Sequence, residues 1–177
     1  MEHATELHGM YRDVMRDASG RIIWDAGWRK NTIVGDCRRL LAAFMHGAPT
    51  GALGIQGMLV GAGLDAWDLP PGIPPAPATQ AALVDAHPFT LPRTSLQLSY
   101  LTGSTVSGIP TNRLQILAHL GPNTPSWPDS NHPSAVLREF GLVAQLDSTP
   151  VLVNYVRHTA IAKDPSSSLD RTIVLVF

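Results

Sequence analysis

From Arg93 onward, apolar and polar residues alternate with a period of two. Leu96, Leu98 and Tyr100 alternate with Ser95, Gln97 and Ser99. After a turn over Gly103–Pro110, Leu114, Ile116, Ala118 and Leu120 alternate with Arg113, Gln115 and His119. Successive side chains of an extended strand point to opposite faces, so this spacing predicts two half-buried antiparallel strands. The stretch Val136–Phe177 holds three more strand-like runs, separated by Asp147-Ser148-Thr149-Pro150 and Asp164-Pro165-Ser166-Ser167-Ser168. That is the pattern of an antiparallel meander. Phe140, Leu142, Ala144 and Leu146 share one face of the first run. The last run sets Ile173, Leu175 and Phe177 on one side and Val174 and Val176 on the other. A strand apolar on both faces is central or covered by an interface, and a pattern still running at Phe177 predicts a last strand docked in a sheet.

A helical period shows clearly once. Cys37, Leu40, Leu41 and Phe44 recur at i, i+3, i+4 and i+7 within a helix expected from about Asp36 to His46, with Asp36 to cap it and Gly47 to close it. Residues 1–20 read as a polar, partly mobile segment in which Met10, Tyr11, Val14 and Met15 have rough helical spacing. A turn at Asp17-Ala18-Ser19-Gly20 leads into R-I-I-W-D-A-G-W, a short strand that turns again at Ala26-Gly27. The Gly-rich stretch 47–63 contains Met58-Leu59-Val60, a short buried strand. Five prolines between Leu69 and Ala78 exclude a helix or central strand there and predict an extended arm or surface loop. A second Pro-rich loop, Gly121–Pro133, has Trp127 at its middle. The expected architecture is mainly β. It is an antiparallel, sandwich-like domain over 21–177, with six to eight strands, one packed α-helix, long Pro-rich loops and a Pro-rich arm at 69–78.

Composition narrows the partners. The 177 residues are 44% hydrophobic, enough for a real core. With 15% charged residues and a formal net charge of −1, the chain shows no electrostatic footprint for nucleic acid. The N-terminus has neither a basic nor an apolar signal region, and no apolar stretch is long enough to span a bilayer, so a soluble protein made in the cytoplasm is expected. The single Cys37 excludes an internal disulfide and sits on the apolar helix face as a packed thiol.

Catalytic and metal motifs are weak. Gly103-Ser104-Thr105-Val106-Ser107-Gly108 lacks the G-x-S-x-G spacing and reads as a hairpin tip. The seven histidines show no H-x-H or H-x-x-x-H pair; His87 and His132 precede prolines and read as loop residues, while His119 and His158 lie on strands. Asp65 and Asp68 are too few ligands for calcium, and Gly61-Ala62-Gly63 lacks the third glycine of a dinucleotide loop. No enzyme, metal or cofactor is expected. Glu139 stands out as a carboxylate inside an apolar strand. A buried carboxylate needs a partner, so a structural ion pair of Glu139 with Arg157 or Arg171 is expected. Asn154, Tyr155, Arg157 and His158 form a polar patch in another apolar run, the pattern of an intersubunit contact or a satisfied sheet face. Trp67 just before the arm, Leu69 and Ile73 within it, and Trp127 complete the candidate interaction residues.

Several segments occur in a characteristic order: N-T-I-V-G-D-C-R-R-L-L-A-A-F-M-H-G (Asn31–Gly47), G-A-G-L-D-A-W-D (Gly61–Asp68), L-R-E-F-G-L-V (Leu137–Val143), N-Y-V-R-H (Asn154–His158), I-A-K-D (Ile161–Asp164) and L-D-R-T-I-V-L-V-F (Leu169–Phe177). In this the chain resembles structural proteins of tailed bacteriophages and phage-tail-like contractile injection particles. Val143 stands where an aromatic is usual. The resemblance covers roughly residues 20–177 and implies a non-catalytic subunit of a virion or extracellular particle, in contact with other particle subunits and with copies of itself. The alternative reading is a receptor- or carbohydrate-binding module at a particle tip. It draws on Trp24, Trp28, Trp67 and Trp127, whose exposed faces would stack on a host-surface glycan.

Overall fold

The computed structural model describes residues 7–47 and 51–177. In chain order the strands are β1 (His8–Arg16), β2 (Ile22–Asp25), β3 (Arg29–Ile33), β4 (Leu53–Gly61), β5 (Phe89–Pro92), β6 (Leu96–Thr102) and β7 (Thr105–Ser107). They continue with β8 (Arg113–Leu120), β9 (Val136–Leu146), β10 (Thr149–Leu152), β11 (Asn154–Ala162) and β12 (Ser168–Val176). One α-helix, α1 (Gly35–His46), follows β3. The fold is mainly β, with antiparallel pairing throughout and sandwich-like packing. It holds twelve strands among the described residues, more than the six to eight expected: β1 and β3 add to the count, and β5, β7 and β10 are only three or four residues long. Runs that short are hidden in the sequence by the turns around them.

Hydrogen-bonded order runs β5-β4-β9-β11-β3-β1-β12-β8-β6-β7. Strand β3 is the corner: Arg29–Asn31 pair with β1, whereas Thr32 and Ile33 pair with β11. The first layer is therefore β1, β12, β8, β6 and β7, with β2 beside β1; the second is β5, β4, β9, β10 and β11. Tyr11, Ile116, Ile173 and Leu175 of the first layer and Met58, Phe140, Leu142 and Val156 of the second belong to one buried cluster. The Tyr11 and Phe140 rings meet edge to face across it at 5.2 Å.

Several expectations need correction. Residues 1–6 of the expected mobile segment lie outside the described residues. The rest of it is largely strand: β1 pairs with β12 along its whole length, so the domain starts well before residue 21. The period that governs it is two, with Tyr11, Asp13 and Met15 buried and Met10, Arg12 and Arg16 turned outward. The closing meander is interrupted, since β3 and β1 lie between β11 and β12. Strand β12 is central, between β1 and β8, with Ile173 and Leu175 in the core and Val174 and Val176 on the outer face. The short buried strand at 58–60 is the end of the longer β4.

Helix α1 closes one end of the sandwich with Cys37 and Leu40 buried, while Phe44 stays 47% exposed. Gly47 ends it at φ 76°, with its N–H on the Ala43 and Phe44 carbonyls, the left-handed cap that favours glycine. Asp36 does not cap the start: Val34 holds that position, and the Asp36 carboxylate accepts from Arg39 instead. No helix among the described residues is long and apolar enough to cross a membrane.

Candidate functional site

The outer face of the second layer is covered by the chain between β4 and β5. Val34, Leu83, Leu152 and Tyr155 form a second buried cluster there, with Leu59, Ala76 and Val143 packed against it. The Pro-rich segment is part of this cover. The Ala78 carbonyl accepts from Gly35 N–H at 2.8 Å, and the Ala76 carbonyl accepts from the Thr32 hydroxyl at 3.4 Å. Of the candidate arm residues, Leu69 is 62% exposed but Ile73 is half-buried. The free arm is thus confined to the Leu69 end, and the rest docks on its own domain because carbonyls left without sheet partners find donors on β3 and α1.

Glu139 anchors this cover. It is fully buried, and its carboxylate accepts from the backbone N–H of Val84 at 3.0 Å and of Asp85 at 2.7 Å, and from the Tyr155 hydroxyl. The expected ion pair with Arg157 or Arg171 does not form. Arg157 is the cross-strand partner of Glu139, yet its Nε donates to the Tyr155 hydroxyl at 3.2 Å and its guanidinium lies 5.1 Å from the Trp67 ring centroid. Burial, and then the hydrogen bond to Glu139, push the Tyr155 hydroxyl above the usual phenol range. Gly61, opposite Glu139 in the ladder, has no room for a side chain: a Cβ there would lie 2.7 Å from the carboxylate.

Arg171 is committed inside the sandwich. Its guanidinium donates twice to Asp13, at 2.7 Å each, with both side chains essentially inaccessible. It also lies 3.7 Å from the Phe140 ring centroid and donates to His158 Nε2 at 3.2 Å. His158 Nδ1 faces the Thr159 carbonyl at 2.9 Å, so the ring sits as a neutral imidazole that donates at Nδ1 and accepts at Nε2. Burial, reinforced by the Arg171 charge, holds its pKa down at about 4.

A third polar knot joins the Pro-rich loop Gly121–Pro133 to the segment that leads into β5. His132 Nδ1 lies 2.8 Å from Asp129, and Nε2 lies 3.1 Å from Asp85. Trp127 stacks on the imidazole at 3.8 Å between centroids. Asp85 also accepts the backbone N–H of Ala62 and of His87, each at 2.8 Å. Beside it Arg138 binds Asp68 at 2.8 Å and Asp65 at 2.9 Å, which gives those two aspartates a structural role. No group of three or more metal-ligating side chains is assembled among the described residues.

These placements revise the candidate list. Asn154, Tyr155 and His158 are buried, so they satisfy the fold and do not form a subunit contact. Asn154 Oδ1 accepts from Leu142 N–H at 2.8 Å. Trp67 and Trp127 are each only 6% exposed, which removes both from any glycan-binding set. Cys37 is packed as expected, and burial raises its thiol to about 11.

The open surface lies elsewhere. Ile22, Ile23 and Trp24 on β2 are large, apolar and between 37% and 49% exposed, as are Met10 and Trp28 further along the same layer. At the other margin of the same layer, Val106 on β7 and Ile109 just beyond are 62% and 71% exposed. The signal in the sequence was Arg21-Ile22-Ile23-Trp24, an apolar run too short to be covered on either side. Comparison with protein-family models, curated proteins and solved structures finds no match.

Proposed function

We propose that the chain is a structural subunit of a multi-subunit particle of the phage-tail kind, virion or extracellular, joined to copies of itself and to other particle subunits without a catalytic step. The observation that carries this reading is the pair of unpaired margins on one layer. Among the described residues strand β2 pairs only with β1 and β7 only with β6, and both bear large apolar side chains in the open. Apolar sheet edges favour association when nothing covers them. Lysine and proline, the residues that commonly block such edges, are missing from both strands. The buried polar knots support the reading too, since each is consumed in holding loops and layers together.

Light scattering on the purified chain tests it. Mass is expected to rise above the 19.0 kDa of one chain with concentration, and to return to it in an Ile23→Glu, Trp24→Glu variant or in Val106→Glu. A wild-type chain that stays monomeric at high concentration, and stays out of particles when co-expressed with the products of neighbouring genes, would refute the reading.

A further inference from the structure

The exposed face of the first layer carries a groove of about 410 Å³, within the range of small-ligand sites. Its apolar lining comes from Met10, Val174, Val176 and Leu101, and Trp28 stands in it half-exposed. Its polar lining comes from His8, Ser104, Arg113 and Gln115. Chain geometry explains the convergence: outward residues of β1, β12 and β8 lie side by side in register, Met10 against Val174 and Val174 against Gln115.

Arg113 is the informative member. The other outward arginines of this face are neutralised, Arg12 by Asp25 and Arg16 by Asp170. Among the described residues Arg113 forms no side-chain hydrogen bond or ion pair, and its Nε is buried without a partner. A half-buried guanidinium left in that state favours an anionic oxygen ligand, which it can bind through two parallel N–H donors.

We propose that this groove binds a carboxylated pyranose, an acidic sugar unit. One face of such a ring is a sheet of C–H groups suited to Trp28 and the apolar lining. Its hydroxyls match the neutral hydrogen-bonding groups of Gln115 and Ser104, and its carboxylate meets Arg113. A purely aliphatic anion would use the arginine and leave those neutral groups idle. The proposal does not depend on the assembly reading, because none of the groove's residues lies on β2 or β7.

Saturation-transfer NMR on the full chain, with methyl β-D-glucuronide and methyl β-D-glucoside as paired probes, tests it; the two rings differ only at the carboxylate. The glucuronide is expected to bind at least tenfold more tightly. Arg113→Gln should abolish that preference, and Trp28→Ala should weaken both probes, with circular dichroism confirming that each variant is folded. Equal binding of the two probes by the wild type would overturn the role of Arg113. No transfer from the glucuronide, or hexanoate bound as tightly as the glucuronide, would overturn the sugar site itself. Both comparisons on the wild-type chain hold even if a variant fails to fold.

Discussion

At the scale of single residues, the interior is organised by charges that the fold has to satisfy. Glu139 replaces its hydration with two backbone donors and a tyrosine hydroxyl. Glu139→Ala would leave those donors buried and unpaired, at a cost of roughly 3 kcal/mol or more. Arg157→Ala should cost clearly less, because Arg157 is half-exposed and reaches Glu139 only through Tyr155. Urea denaturation of both variants checks this; equal losses would mean that the arginine, and not the backbone, holds the carboxylate. His158 gives a pH-dependent counterpart. Its folded pKa of about 4 lies below its ordinary 6.5, so the unfolded chain takes up the proton first as pH falls. The contribution of neutral His158 is complete above pH 6.5 and is lost as pH drops toward 4. In His158→Gln, whose amide oxygen can still accept from Arg171, stability should fall less steeply across that window. Parallel stability–pH curves for wild type and variant would show that His158 does not titrate there.

At the scale of elements, legibility followed length and regularity. Helix α1 and strands β8, β9 and β12 are long enough for their periods to show, and their buried positions match the pattern on β8 (Ile116, Ala118, Leu120) and on β9 (Phe140, Leu142, Ala144, Leu146). On β6 Leu96 is buried as expected, but Tyr100 is 40% exposed and Leu101 is buried in its place. Strand β1 was obscured because Asp13 occupies an inward position, and a carboxylate there breaks the alternation until Arg171 is known to lie opposite. The cover over the second layer was illegible for a different reason. Its contacts are carbonyls and prolines meeting residues more than forty positions away, as in Thr32 with Ala76, and no local pattern encodes them. Replacing Leu69–Ala78 with a Gly-Ser linker of equal length should therefore destabilise the domain itself. It removes Ala76 from the Tyr155 cluster and adds the chain entropy that prolines suppress. Hydrogen exchange at the Val84 and Asp85 amides reports the loosening directly, and unchanged protection there would restore the free-arm reading.

At the scale of the molecule, the two layers differ in exposure: one outer face lies under the Pro-rich cover, while the other stays open with its margins and groove. Strand β12 is what lets the open layer exist. It pairs with β1 from His8 to Arg16 and with β8 from Arg113 to Leu120, so among the described strands it joins the β1 side to the β8–β6–β7 side of the ladder. It also delivers Arg171 to Asp13, and buries Ile173 and Leu175 completely or nearly so. Deleting residues 171–177 would strand Asp13 as an unpaired buried charge, at about 3–5 kcal/mol. It would also remove two core side chains, at about 2–5 kcal/mol each. Together these approach the whole stability of an ordinary domain, about 5–15 kcal/mol, before the lost ladder is counted. The truncated chain is expected to lose its cooperative thermal transition. Removal of Phe177 alone, which is 39% exposed and held mainly through its backbone to Asn112, should cost about 1 kcal/mol and leave the transition intact. A cooperative melt from residues 1–170 would show that β1 and β8 hold together without β12, and would remove the central strand from this account of the fold.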